Sequence, residues 1–331
     1  MCWHSATERM VQLETSHAKS VRNIDVVKEY GTLIALACLV GAFSLLSPAV
    51  FPTLPNLINI LRQISLLAII ATGATVVTVI DEFDLSIGAM ASFGGVLAAG
   101  LVTGGMSIGL AILLALLLAF VFGLANGFLV TYFGIYSFIT TLAMGTILGG
   151  ITFWYTGGST IFGGIPDAFL WFGQSSLGPI PIPTILMFAV VIAFWFILSH
   201  LEFGRRLYAI GGNPAAARLC GINVHRDKTI AFGLTAVLAA ATGVILASRL
   251  GSAHPTAGGG LFLQSYAAVF LGMTAFSNGV PNVWGTFVGS LIIGVLANGL
   301  TILNVPYFLQ DIITGCIIIL AVITQSAGAR R

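Results

Sequence analysis

The chain has 331 residues, of which 57% are hydrophobic and 7% charged, with a formal net charge of +2. Soluble domains carry about 25% charged residues, so one soluble core cannot hide this much apolar surface, and the composition reads as an all-α membrane protein. A charge of +2 with no cationic stripe along any helix also excludes nucleic acid as a partner.

Residues 1 to 29 mix Arg9, Lys19, Arg22 and Lys28 with Glu8, Glu14, Asp25 and Glu29, and read as a cytoplasmic tail. A cleaved signal peptide would place an apolar core of about 7 to 15 residues nearer the start than Gly31 to Leu46. Beyond the tail, no Asp, Glu, Lys or Arg occurs in Tyr30 to Leu61, Leu85 to Pro166, Ala168 to Leu201 or Leu250 to Gln310. A bilayer-spanning helix needs about 20 mostly apolar residues. The pattern therefore predicts ten spans, at 31–49, 58–80, 85–104, 107–130, 137–156, 182–200, 229–249, 260–276, 283–302 and 307–325. Pro48, Pro52, Pro55, Gly104, Gly105, Gly157 to Pro183, Gly258 to Gly260, Pro281 and Pro306 punctuate them. The expected organisation is one polytopic domain over 30–327, a tail at 1–29, a loop at 201–228 and a short C-terminus at 328–331.

Short loops rich in Lys and Arg stay in the cytoplasm. With both termini inside, the tail, the 201–228 loop (Arg205, Arg206, Arg218, Arg226, Lys228) and Arg330 with Arg331 hold eleven of the thirteen cations on one side. The other two, Arg62 and Arg249, sit near the opposite ends of spans, where a long side chain can snorkel to the interface.

Polar residues inside the apolar part are few. Asp81, Glu82 and Asp84 fall between two spans; either they form a gate or cation site, or Asp84 caps a helix starting at Leu85 with its neighbours solvated, and the capping reading is preferred. Asp311 lies inside the final span with no cation nearby in sequence, so it pairs with Arg62 or Arg249 or faces an aqueous cavity. Candidates for a translocation pathway or gate are Asp84, Ser86, Asn126, Gln264, Asn298 and Asp311. Asn126 and Asn298 belong to an internal echo, GLANGFLV at 123–130 and GVLANGL at 294–300, spaced as an inverted repeat would be. His254 and Thr256 read as loop residues, and Cys2, Cys38, Cys220 and Cys316 lie too far apart for C-x-x-C chemistry.

No G-x-x-x-x-G-K, H-E-x-x-H or G-x-S-x-G motif is present, so no catalytic or cofactor-binding role is expected. The most polar internal stretch, FGRRLYAIGGNPAAARLCGINV at 203–224, predicts a short helix with defined ends. Asn213 suits the N-cap, Pro214 the first helical position, Ala215, Ala216, Ala217, Arg218 and Leu219 the helix, and Gly221 a left-handed stop after Gly212 has opened the turn.

In order, IDEFDLSIG (80–88), LANGFLVTYFGIYSFITTLAMGTI (124–147), the 203–224 stretch, SRLGSAHPTAG (248–258) and VWGTFVGSLIIGVLANGL (283–300) resemble the permease subunit of ribose-type ABC sugar importers over roughly residues 55 to 325. The resemblance implies a type II-like importer fold in a bacterial inner membrane. It also implies a second permease copy, two cytoplasmic ATPase subunits that bind the ATP, and a periplasmic substrate-binding protein. By position, Gly212 to Gly221 resembles the family's coupling helix, which docks on the ATPase. The chain departs from the family's GGIDLS at Val79 to Ser86, from ELDAIAAV at Phe262 to Val269, and from an SLSGG-like turn at Ala275 to Gly279. The expected function is half of a translocation pathway for a sugar or sugar-like polyol. A permease for nucleosides or branched-chain amino acids and an ion-coupled secondary transporter are the alternatives.

Overall fold

The computed structural model describes residues 32–276 and 279–329. The expected tail at 1–29, the Ser277–Asn278 turn, and Arg330 with Arg331 lie outside the described residues.

Apolar residues without charges leave backbone amides no partner but one another, and helices are the result. The chain starts with α1 (Thr32–Leu46), α2 (Leu54–Val79), α3 (Ile87–Thr103), α4 (Ile108–Tyr132) and α5 (Ser137–Thr156). A surface segment follows, with β1 (Ile161–Phe162), α6 (Asp167–Gln174) and a hairpin of β2 (Ser176–Leu177) with β3 (Ile180–Pro181). Next come α7 (Ile182–His200), α8 (Glu202–Gly212), α9 (Pro214–Leu219), α10 (Val224–Leu250), β4 (Ser252–Ala253), α11 (Gly259–Phe276), α12 (Val283–Ile302) and α13 (Tyr307–Ala329). Among the described residues six helices, α2, α4, α5, α7, α10 and α12, are long and apolar enough to cross a membrane; Thr32–Leu46, Ile87–Thr103, Gly259–Thr274 and Tyr307–Ile317 are shorter apolar stretches.

Several helices begin earlier than apolar runs suggest, because caps rather than hydropathy set their ends. The Thr53 hydroxyl accepts from the Asn56 amide at the start of α2, and the Asn223 side chain accepts from the Arg226 amide at the start of α10, five residues before the expected 229. The expected 201–228 loop is mostly helical: α8 buries Gly204, Leu207 and Ile210 on one face, and α9 and the start of α10 complete it.

The centre is formed by α2 and α10, the most buried of the long helices. Around them pack α3, α4, α7, α11 and α12. Small residues let the backbones touch. A Cβ at Gly243 would lie 1.7 Å from the Ala91 carbonyl oxygen, and one at Gly289 would lie 2.0 Å from that of Ala268. Hydroxyls and amides stitch the same seams: Thr75 to Thr286 at 2.7 Å, Thr235 to the Gly73 carbonyl at 2.9 Å, and a reciprocal Asn56–Asn298 amide pair at 3.1 and 3.0 Å. After β4 pairs with β1, the chain turns back between helices, and the Gly258 amide donates to Ser92 Oγ at 2.9 Å. Consequently α11 starts beside the first turns of α3.

Outward faces are apolar. On α4 Leu110, Leu113, Leu117 and Val121 are exposed, and on α7 Ile185, Phe188, Ile192 and Phe196 are exposed at helical spacing.

Candidate functional site

The candidate site lies where the α2–α3 connection meets α8, α9 and the first turn of α10. Asp81 adopts the left-handed conformation with φ 58°, which Asp tolerates better than most residues, and turns the chain out of α2. The segment then dives inward. Asp84 is fully buried, with its Oδ1 accepting from the Ser86 amide and from the Ser86 hydroxyl. This is an Asx turn ahead of α3, so the expectation that Asp84 caps a helix starting at Leu85 is corrected: α3 begins at Ile87, Ser86 holds its N-cap position, and the Asp84 carboxylate is inside the protein.

Three elements distant in sequence close over it. From α4, Asn126 Nδ2 donates to Ser86 Oγ at 3.1 Å. From α11, Tyr266 OH accepts from the Asp84 amide at 2.7 Å and lies 3.3 Å from the Asp84 carbonyl oxygen. From α5, Thr141 Oγ1 accepts from the Leu85 amide at 3.0 Å. Asp84 Oδ2 and Asn126 Oδ1 are buried without a hydrogen-bond partner. Burial pushes the Asp84 carboxyl up to about 6, offset in part by the Ser86 bonds.

That shift predicts a signed pH effect. The folded state holds the proton more tightly than the unfolded state. The contribution of Asp84 to stability is therefore highest below about pH 4, falls as the pH rises from there to about 6, and is flat above. The ionised group costs on the order of 3 kcal/mol at neutral pH. Asp84→Asn, whose amide oxygen can keep the Ser86 bonds, should raise the melting temperature in detergent at pH 7.5 and do so much less at pH 4.5. An equal effect at both values would sink the assignment.

Of the six pathway candidates, the structure brings together Asp84, Ser86 and Asn126. Gln264 is half-buried on α11 and outside this hydrogen-bond set, and Asn298 is held by Asn56 at the far end of α2. Asp311 is exposed and pairs with neither Arg62 nor Arg249, which corrects the pairing half of that expectation. His254 and Thr256 hydrogen-bond to each other within their turn.

The cluster is tied to the polar surface beside it. Glu82 pairs with Lys228 on α10. Arg206 on α8 lies 2.8 Å from the buried Asp227 and 3.2 Å from Glu202. Tyr208 OH donates to the Pro281 carbonyl at 2.9 Å, and a Cβ at Gly211 would lie 1.9 Å from the Val79 carbonyl, so α8 rests directly on the end of α2.

From this base α9 projects. Asn213 Oδ1 accepts from the Ala215 and Ala216 amides, both at 3.0 Å, and Pro214 takes the first helical position. The helix ends with Ile222 N bonded to Ala217 O and Gly221 N to Arg218 O, with Gly221 at φ 81°, which is a Schellman stop. Ala217 points inward, so of the three alanines only Ala215 and Ala216 are exposed. Leu219 is 91% exposed and Arg218 is exposed beside it. Next to α9, a cleft of about 470 Å³ is lined by Arg205, Arg206, Arg226, Glu202, Asp227 and Cys220, among others.

Residues 56–322 match the family described as "Branched-chain amino acid transport system / permease component". The chain belongs to that permease family. The ribose import permease protein RbsC of Escherichia coli strain K12 is 41% identical to it over 301 residues, covering 90% of this chain and 94% of the relative. The D-allose transport system permease protein AlsC of the same strain is 34% identical over 313 residues, 94% of this chain and 96% of the relative. The xylose transport system permease protein XylH of Haemophilus influenzae is 32% identical over 311 residues, covering 76% and 83%. No solved structure matches the permease. The resemblance read from the motif order is borne out, and the chain is a multi-pass membrane transport component.

Sequence reasoning missed Tyr266, Glu82–Lys228 and Arg206–Asp227 as parts of this permease's site. Tyr266 stood out only as a departure from the family pattern. The two ion pairs join charged residues 146 and 21 positions apart, whose complementary signs at the edges of apolar runs were the available signal.

Proposed function

We propose that this permease forms half of the translocation pathway for a sugar or sugar-like polyol in an importer of the bacterial inner membrane. Two copies, or one copy with a related permease, enclose the path. Separate cytoplasmic subunits bind and hydrolyse ATP, and a periplasmic protein delivers the substrate. The observation that carries the assignment is the run of relatives named for ribose, allose and xylose, each covering most of both chains. The α9 helix supports the powered-importer reading: it is capped at both ends, seated through α8 on the end of α2, and presents an exposed Leu219 with nothing over it. Co-reconstitution with the neighbouring ATPase and binding protein, followed by ATP-dependent uptake of labelled ribose, allose and xylose, tests the reading. Uptake of none of them, with branched-chain amino acids entering instead, would replace it with the family's printed description.

All ten apolar helices, the four shorter ones included, cross the bilayer in this proposal, with the 201–228 region and both termini in the cytoplasm. The cation asymmetry supports this orientation. With Cys2, Cys38, Cys220 and Cys316 replaced, a cysteine at Asn223 should escape an impermeant thiol reagent in intact cells, whereas one at Ser175 should react. The reverse pattern would invert the topology. A secondary transporter is the second reading, because Asp84 is an acid fully buried in the protein between two apolar helices. Uptake by the chain alone in liposomes, driven by an ion gradient without ATP, would establish that reading instead.

A further inference from the structure

Arg62, near the start of α2, and Arg249, in the last turn of α10, are neighbours in space: Arg249 Nη1 lies 3.4 Å from the Arg62 carbonyl oxygen. Both are half-buried. Arg62 Nη2 donates to Ser176 Oγ in the β2–β3 hairpin at 3.1 Å, while Arg62 Nε is buried with no acceptor. Gln174, in α6, donates to the Arg249 carbonyl at 3.2 Å. Among the described residues no carboxylate pairs with either guanidinium, and Asp167, the one acid between Gly157 and Pro181, is not engaged by them. Two adjacent cations in partial burial repel each other and lack their usual counter-charge, an arrangement that favours an incoming oxyanion.

The surroundings say which oxyanion. Trp171, Leu177, Ile180 and Leu250, within a few positions of the residues that frame the pair, are all exposed. The hairpin leads directly into α7, which Ser65 and Thr184 pin to α2 at 3.2 Å and whose Ile185, Phe188, Ile192 and Phe196 form an exposed apolar stripe. Cations at the head of an apolar, outward-facing stripe, with an exposed Trp in the adjoining α6, match the boundary between headgroups and acyl chains. We propose that Arg62 and Arg249 bind the phosphate of a membrane phospholipid whose acyl chains lie along the exposed face of α7. This requires only that α7 spans the bilayer; it does not depend on what the permease transports.

The full chain, purified in detergent, can be titrated with phosphatidylglycerol and with diacylglycerol of the same acyl chains, and occupancy read by native mass spectrometry. Phosphatidylglycerol should bind at least about tenfold more tightly, which corresponds to ~1.4 kcal/mol. The R62Q/R249Q double variant should lose that preference, and R62K/R249K should keep most of it. Equal binding of the two lipids by the wild type would overturn the proposal without recourse to any variant, as would an unchanged preference in R62Q/R249Q. Displacement of the lipid by equimolar inorganic phosphate would mean a free-anion site. Displacement by a glutamate-rich peptide at the same concentration would mean a protein carboxylate. Either result would remove the phospholipid assignment.

Discussion

Ala216→Glu should give a permease that inserts and folds normally yet loses transport and substrate-stimulated ATP hydrolysis together. Ala216 is the third residue of α9 after the Asn213 cap, and a Glu at that position favours the helix, both by its charge near the N-terminus and by reaching back to the cap. Its side chain is exposed, so no packing is disturbed. Any loss therefore arises at a surface that something must approach. An unpaired carboxylate pressed into a docking cleft costs on the order of 2–5 kcal/mol, enough to abolish coupling at working concentrations. Arg218→Glu reverses an exposed charge on the same helix; it should weaken docking less and be partly rescued by a basic substitution on the ATPase. Normal binding of the ATPase subunit and normal uptake by the Ala216→Glu variant would reduce α9 to a surface helix.

Gly243→Leu should fail at an earlier stage, with little folded protein recovered. At this position the backbones of α3 and α10 are in contact: the first side-chain carbon would meet the Ala91 carbonyl oxygen at 1.7 Å and its carbon at 2.6 Å. Neither is a flexible side-chain end that can rotate away. Overpacking against movable side chains already costs about 1–3 kcal/mol, and here two helices of the central seam must part, so the loss should exceed roughly 3 kcal/mol out of a total of about 5–15. Gly149→Leu is the control, because nothing lies within 4 Å of its added carbon. The measurement is monodisperse yield and melting temperature after solubilisation. Indistinguishable behaviour of the two variants would show that the α3–α10 contact is not tight in the folded permease.

Helix placement was legible wherever charge was absent, since an uncharged run of sufficient length has few other structures open to it. It was hidden where polarity was mixed. α8, with Glu202, Arg205 and Arg206, read as a loop, although the spacing of Gly204, Leu207 and Ile210 carried its amphipathic face. The caps of α9 were legible because Asn213, Pro214 and Gly221 act through local backbone geometry. The inward turn of Ala217 was not, because an alanine gives no sign of which side will be covered. Asp84 shows the limit most clearly. Next to Asp81 and Glu82 it reads as a helix cap, and what closes over it comes from α4, α5 and α11, with Tyr266 182 residues away. The echo between Asn126 and Asn298 marked two residues that both make a side-chain bond to a segment distant in sequence, one to Ser86 and one to Asn56.

Asn213 both closes α8 and opens α9. A joint of one residue has only two soft angles, so α9 cannot draw away from α8. A push delivered to α9 would reach α8 as a torque. That helix leans at Gly211 on the last turn of α2 and is tethered at Tyr208 to the strand of chain leading into α12. The two helices it touches are themselves bolted together further in, at Thr75 and Thr286. α8 is therefore in contact with both sides of a single seam, at Gly211 and at Tyr208.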